Sequence, residues 1–123
     1  MFKVSGSIFN SYPALRSAKK LALPDVIGTG IYSQMFISQT NLLRGPYLRA
    51  TTSRYSCYYR LFKGCSNLNE IKIAFTGTFS SGINSGTVEW VDGVSSTGKF
   101  YYNGSDTTRA TYAIPTGWTI TSF

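Results

Sequence analysis

The chain has 123 residues, the size of one domain, and it is poor in charge (14%) but rich in aromatic residues (15%). Histidine is absent, which excludes catalytic histidines and histidine-based metal sites. The formal net charge is +7, and ten of the twelve Lys and Arg residues lie within residues 1–72. We therefore expect a single domain, 1–123, with a basic first part and a near-neutral second part.

The N-terminal twenty residues contain neither the apolar run nor the small-residue cleavage site of a secretory signal. No segment approaches the ~20 apolar residues of a transmembrane helix. We expect Met1 to be a native start, with no export by the ordinary route and no membrane insertion.

An internal repeat covers residues 8–75. An apolar-Phe pair, followed by Leu six residues after the Phe, occurs three times at offsets of 27 and 26 residues. This period is typical of leucine-rich repeats, whose units must stack to bury their apolar sides. The repeat predicts two buried ladders, one of Phe9, Phe36 and Phe62 and one of Leu15, Leu42 and Leu68.

Each repeat is predicted to contain a short helix followed by a strand. Residues 28–36 and 54–63 place Tyr and Phe four positions apart, on one face of a helix, and Gly64 suits a helix C-terminus. A strand beginning at Leu68 follows, with matching strands near Leu15 and Leu42.

Cys57 and Cys65 are eight residues apart. Across a helix this spacing corresponds to roughly 12 Å at the usual rise per residue, which is beyond the reach of a disulfide. We expect both to be small buried hydrophobic residues. Two cysteines without histidine give no zinc signature.

Residues 76–123 are predicted to form a small antiparallel β cap that covers the last apolar face of the repeats. Turn signals at Asn103-Gly104 and at 115–117 separate strands expected at 87–91, 98–102, 107–113 and 118–122. The overall expectation is an α+β fold: a short leucine-rich-repeat solenoid of two to three repeats of about 26 residues (8–75), with a β cap.

The phrases LALPDVIGTGIYSQMF (21–36) and CYYRLFKGCSNLNEI (57–71) resemble the BspA-like leucine-rich repeats of gut Bacteroidetes and their phages. The Ala50-Thr51-Thr52 turn also matches that pattern, whereas Ile31 and Ser38-Gln39 replace its usual Cys and Gly-Cys. Residues 76–121 resemble the segments that close such arrays. The resemblance implies adhesion or surface recognition and implies no enzyme.

Catalytic constellations are weak. No serine has a histidine or a Ser-x-x-Lys partner, and Gly28-Thr-Gly30 lacks the Gly-Lys-Ser of a phosphate loop. Glu89 and Asp92 are close in sequence, but we interpret them as belonging to a strand end and a turn. We expect no enzyme, no cofactor and no metal.

Binding is the better hypothesis, because the predicted strands expose basic and aromatic residues, which favour recognition surfaces. The alternative is that these residues only solvate the face. The partner-binding candidates are Lys19, Lys20, Arg44, Tyr47, Arg49 and Lys72, with Glu70 beside them. On the cap, Trp90, Tyr101 and Tyr102 are candidates for stacking on sugar rings or for the cap core.

Three functions follow. The first is a bacteriophage virion component, a head or tail fibre or decoration protein at the virion surface, whose partners are other virion proteins or a host-surface protein or glycan. The second is a bacterial cell-surface or secreted adhesin module. The third, a basic nucleic-acid-binding module, is disfavoured because aromatic platforms with clustered arginines are lacking. We also expect Met1–Ile8 to dock on another chain or a second copy, because the first repeat is uncapped.

Overall fold

The computed structural model describes residues 16–20, 32–51, 57–82 and 85–123. The predictions for Met1–Ile8, for Phe9 and Leu15, and for the beginnings of both expected helices lie outside these residues.

The described residues form one four-stranded sheet. Its strands are β1 (Arg44–Leu48), β2 (Glu70–Ile73), β3 (Lys99–Tyr101) and β4 (Thr119–Thr121). They lie in the order β1-β2-β3-β4, and every neighbouring pair is parallel. None of the described residues is helical. The predicted α+β class, a repeat solenoid with helices and an antiparallel cap, is therefore wrong.

The expected helices are replaced by turns because their backbone is left-handed at every fourth residue. Gln34 and Ser38 have φ of 59° and 59°, and Arg60 and Gly64 have φ of 50° and 79°. A left-handed residue cannot continue a right-handed helix. The four-residue spacing of Tyr and Phe, which suggested a helix face, therefore belongs to a chain of turns.

We call residues 32–38, 57–64 and 86–93 the turn segments. Their backbone N–H groups form hydrogen bonds in two alternating ways. The Tyr32 N–H donates to the Cys57 carbonyl (3.0 Å) and the Gln34 N–H to the Tyr59 carbonyl (2.8 Å), both in the next turn segment. Between them, the Met35 N–H donates back to the Tyr32 carbonyl (3.2 Å). Each turn segment is thus hydrogen-bonded along its length to the one that follows it.

The same geometry continues into the predicted cap. Residues 87–91, expected to be a strand, are a turn with left-handed Glu89 (φ 50°). The Arg60 N–H donates to the Val88 carbonyl (2.9 Å) and the Phe62 N–H to the Trp90 carbonyl (2.9 Å). The alternation of turn segment and parallel strand therefore continues after Ile73, and residues 76–123 do not form a separate cap.

The other cap predictions are partly correct. Strands β3 and β4 lie inside the expected ranges 98–102 and 118–122, but they run parallel. Residues 107–113 contribute only an isolated bridge between Arg109 and Ile114. Asn103-Gly104 makes no hairpin, because parallel neighbours require a longer connection.

The inner face of the sheet packs against stacked aromatic side chains. Phe36 and Phe62 stack with ring centroids 5.7 Å apart, and both are fully buried. Leu42 and Leu68 are fully buried as well. The predicted ladders are confirmed for these four residues.

Cys57 and Cys65 are both buried, as predicted. The Cys65 thiol donates to the Phe36 carbonyl (Sγ to O 2.9 Å), and burial raises its pKa to about 12. A thiol with this pKa stays protonated at neutral pH and is a poor nucleophile.

Candidate functional site

A groove crosses the exposed face of the sheet. Its volume is about 340 Å³, and we call it the sheet-face groove; its lining residues are Lys19, Gly45, Tyr47, Glu70, Lys72, Tyr101 and Phe123. The parallel register aligns Tyr47 with Lys72 and Lys72 with Tyr101. One outward position on each of three strands therefore builds the floor of the groove.

A bulge in β1 places Tyr47 in this row. Arg44 pairs with Glu70 and Tyr47 pairs with Lys72, so β1 contains one more residue than β2 between these two pairs. An extra residue reverses the in-out alternation of a strand. Tyr47 consequently faces the groove, while the next residue, Leu48, is buried at 1% exposure.

Gly45 is the residue that lets the bulge pack. A Cβ placed on Gly45 would lie 2.9 Å from the tip of the Phe62 ring. Any other residue would have to displace that buried ring. The sequence gives this glycine no special signal, because the ring that excludes a side chain comes from the following turn segment.

The Lys72 ammonium lies between two aromatic rings. Its Nζ is 4.6 Å from the centroid of the Tyr47 ring and 4.5 Å from the centroid of the Phe123 ring. The two rings meet edge to face at 5.9 Å. Both distances are within the range of cation–π attraction. Among the described residues, no carboxylate forms a salt bridge with Lys72.

Phe123 is held at the groove by Asn103. The Asn103 Nδ2 donates to the Phe123 carbonyl (3.0 Å), and the Phe123 N–H donates to the Asn103 Oδ1 (2.8 Å). Phe123 as a whole is 50% exposed. The side-chain amide of Asn103 thus takes the role of a paired strand and fixes the backbone from which the ring reaches Lys72.

Glu70 provides a carboxylate at the other end of the groove. Its oxygens lie 2.9 Å from Lys19 Nζ and 3.9 Å from Arg44 Nε. Its side chain is 18% exposed, less than either partner. Lys19 is therefore paired with Glu70 and Arg44 lies near it, whereas Lys72 contacts two ring faces and no carboxylate within the described ranges.

The predicted partner-binding residues divide into three groups. Lys19, Tyr47 and Lys72 line the groove, and Arg44 adjoins it through Glu70. Lys20 and Arg49 are exposed but do not line it.

The cap aromatics separate in the same way. Trp90 and Tyr102 are each 1% exposed and belong to the core, whereas Tyr101 is half-buried and lines the groove. Strand alternation at β3 is the signal that distinguishes Tyr101 from Tyr102. The position of Phe123 could not be read from the sequence, because it depends on a distant asparagine.

A second charged cluster lies on the turn segments. Glu89 accepts hydrogen bonds from Lys63 (2.8 Å) and Arg60 (3.0 Å), and Asp92 lies 3.5 Å from Lys63. These hydrogen bonds from Lys63 and Arg60 hold the pKa of Glu89 below its usual range. The cluster therefore joins neighbouring turn segments and leaves Glu89 ill suited to act as a general base.

Comparisons with known proteins assign this chain to no family. No family model, no curated protein and no solved structure matches this chain. The resemblance to BspA-like repeats stays a prediction. Within the described ranges there is no metal-ligating cluster of three or more His, Cys, Asp or Glu residues, and no helix capable of crossing a membrane.

Proposed function

We propose that this protein is a non-enzymatic binding protein that attaches to its partner through the sheet-face groove. The observation that carries the proposal is the Lys72 ammonium held between the rings of Tyr47 and Phe123 on an exposed, concave surface. Aromatic and cationic side chains in a groove are the usual components of recognition sites.

These outer aromatic residues add little to the fold. The hydrophobic core lies on the opposite face of the sheet, where the large rings are almost fully buried. An exposed cation–π contact contributes only about 0.5–1 kcal/mol. The exposed apolar surface of Phe123 would therefore contribute more free energy when a bound partner buries it than it contributes to the stability of the chain alone.

The setting we propose is attachment or protein contact at the surface of a bacteriophage virion, as a fibre or decoration component of the head or tail. Support comes from the sequence resemblance together with the groove. A bacterial cell-surface or secreted adhesin would use the same groove. A nucleic-acid-binding role is less well supported, because Lys19 and Arg44 are already paired with Glu70.

Adsorption to intact cells tests the groove. Fluorescently labelled wild-type protein and its Tyr101→Ser and Lys72→Met variants are incubated with cells of gut Bacteroidetes and sedimented. Lys99→Gln is the matched control, because Lys99 is exposed on β3 but does not line the groove. We expect both groove variants to lose most adsorption and the control to retain it. Equal adsorption of all four proteins would contradict the proposal.

The virion setting has a separate test. Mass spectrometry of purified phage particles from a host that produces the protein should recover its peptides in a constant ratio to a capsid protein. A particle preparation without these peptides would leave the adhesin setting as the better proposal.

A further inference from the structure

We infer that the sheet-face groove binds a sugar that carries a carboxylate, as uronic and sialic acids do. This inference rests on the proposed function and names the class of ligand that the same site would take. Three features of the groove support it: a ring face that stacks on no other described side chain, an ammonium without a carboxylate partner among the described residues, and a carboxylate paired with a lysine.

Tyr101 supplies the free ring face. It is half-buried on β3, next to Lys72 in register, and its ring stacks on no other described side chain. Pyranose rings present apolar C–H faces, and these pack on aromatic rings. Tyr101 is therefore the residue in the groove best placed to carry a sugar ring.

Lys72 supplies the positive charge. Its ammonium contacts two ring faces and has no carboxylate partner among the described residues. Lys72 is half-buried, and a charge near low-dielectric ring faces attracts an anion more strongly than one in open water. Lys19, by contrast, is paired with Glu70 at 2.9 Å, and Arg44 lies 3.9 Å from the same carboxylate. The residues that line the groove include two lysines and one carboxylate, so their charges sum to +1, which suits a ligand with a single negative charge.

Glu70 and Lys19 supply the polar contacts for hydroxyl groups. Glu70 lies two residues before Lys72 on the same strand face, a separation of roughly 7 Å. A carboxylate accepts hydrogen bonds from hydroxyls, and the Lys19 ammonium beside it donates them. One sugar ring on Tyr101 would thus meet an anion-binding group on one side and hydroxyl-binding groups on the other.

The groove fits a carboxylated sugar better than other anions. A phosphate or sulfate is usually held by an arginine fork or several backbone N–H groups, whereas the lining of this groove has no arginine and two lysines, of which Lys19 is paired with Glu70. An acidic peptide would bind best at a sheet edge, where main-chain groups are free, whereas the groove lies on the face. Its volume of about 340 Å³ is at the small end of ligand pockets and suits one or two sugar rings.

The test is centred on methyl β-glucuronide and methyl β-glucoside, which differ only in carrying a carboxylate or a hydroxymethyl group at C6. Methyl β-glucuronide, N-acetylneuraminic acid, methyl β-glucoside, glucose 6-sulfate and a hexaglutamate peptide are each titrated into the full chain and followed by isothermal titration calorimetry. We expect at least one carboxylated sugar to bind roughly tenfold or more tightly than methyl β-glucoside, the gain of one charge-assisted contact.

Variants assign the effect to the groove. Lys72→Met should weaken binding of the carboxylated sugar about tenfold, to the level of the neutral sugar, while Lys72→Arg should retain most of the affinity. Tyr101→Ser should weaken the binding of both the carboxylated and the neutral sugar, and Lys99→Gln should change neither affinity. Near-UV circular dichroism of the buried aromatic residues checks that each variant is folded.

Several results would overturn the inference: neither the glucuronide nor N-acetylneuraminic acid binding more tightly than the glucoside, no loss of carboxylated-sugar affinity in Lys72→Met, or binding confined to the sulfate or the peptide. If Tyr101→Ser abolishes cell adsorption but no carboxylated sugar binds, the ligand class is wrong and the proposed function stands. If sugars bind as expected but no groove variant changes adsorption, the proposed function is the part that fails.

Discussion

The two faces of the sheet use aromatic residues for different purposes. On the inner face, rings stack on equivalent rings of the next turn segment, as Phe36 does on Phe62 and Tyr32 on Tyr58 at 6.1 Å. On the outer face, rings alternate with charges, as Tyr47 and Phe123 do around Lys72. Aromatic content alone therefore says little about function; the two faces differ in whether the rings are buried among other rings or lie exposed beside a charge.

The largest loss of stability is expected from a substitution on the inner face of the sheet. Phe62→Ala removes a fully buried ring that stacks on Phe36 and lies beside Trp90. We expect a loss of about 3–5 kcal/mol in the free energy of unfolding, from transfer and cavity terms together. Urea denaturation followed by tryptophan fluorescence measures it. A loss below about 1 kcal/mol would mean that the ring stack is not the core of the fold.

The next effect couples the two faces. Gly45→Ala places a Cβ against the Phe62 ring, at a site that also sets the bulge before Tyr47. We expect destabilisation of about 1–3 kcal/mol from overpacking, together with weaker ligand binding. Gly82→Ala is the control, because its Cβ would approach nothing closer than the Ser80 hydroxyl at 3.4 Å. Indistinguishable urea midpoints for the two variants would contradict this reading.

A smaller effect depends on pH. Asp106 accepts hydrogen bonds from the Phe79 N–H (2.8 Å) and from Thr108, and these hold its pKa below the usual 3.8. A lowered carboxylate pKa stabilises the fold above the unfolded-state value, and that stability is lost as the pH falls through the folded-state value. Asp106→Asn should therefore lower stability at pH 7 and flatten its decline below about pH 4. Thermal unfolding from pH 7 to pH 2 measures both, and parallel curves for variant and wild type would contradict it.

The smallest effect belongs to the outer face. Phe123→Ala removes one of the two rings beside Lys72, and we expect less than about 1 kcal/mol of lost stability. Urea denaturation and ligand titration test this: we expect Phe123→Ala to unfold at nearly the same urea concentration as the wild type but to bind ligand more weakly. A loss as large as that of Phe62→Ala would show that the outer rings are structural.

The sequence predicted the inner face well and the connections poorly. The spacing of Phe36 and Phe62 with their leucines identified real stacking partners. The same spacing suggested helices, because a four-residue period fits both a helix face and a chain of turns that is left-handed at every fourth residue.

The continuation of the turn geometry past Ile73 was hidden by a change of spacing. Arg60 and Glu89, which share the left-handed conformation, are 29 residues apart, whereas Gln34 and Arg60 are 26 apart. Asn103-Gly104, a strong hairpin signal, then favoured antiparallel strands that do not form. The groove was half predicted. Lys72 follows from strand alternation, whereas Tyr47, also among the predicted residues, faces the groove because of the bulge in β1, and Phe123 depends on Asn103.

The alternating hydrogen bonds of the turn segments have a consequence for local opening of the chain. The amides of Gln34 and Phe36 are protected only while the next turn segment is in place, whereas those of Met35 and Ile37 bond within their own turn. Amide hydrogen exchange should therefore show a two-residue alternation in rate along 34–37. Loss of protection at Gln34 and Phe36 would report the detachment of residues 57–64, about 25 positions further along the chain.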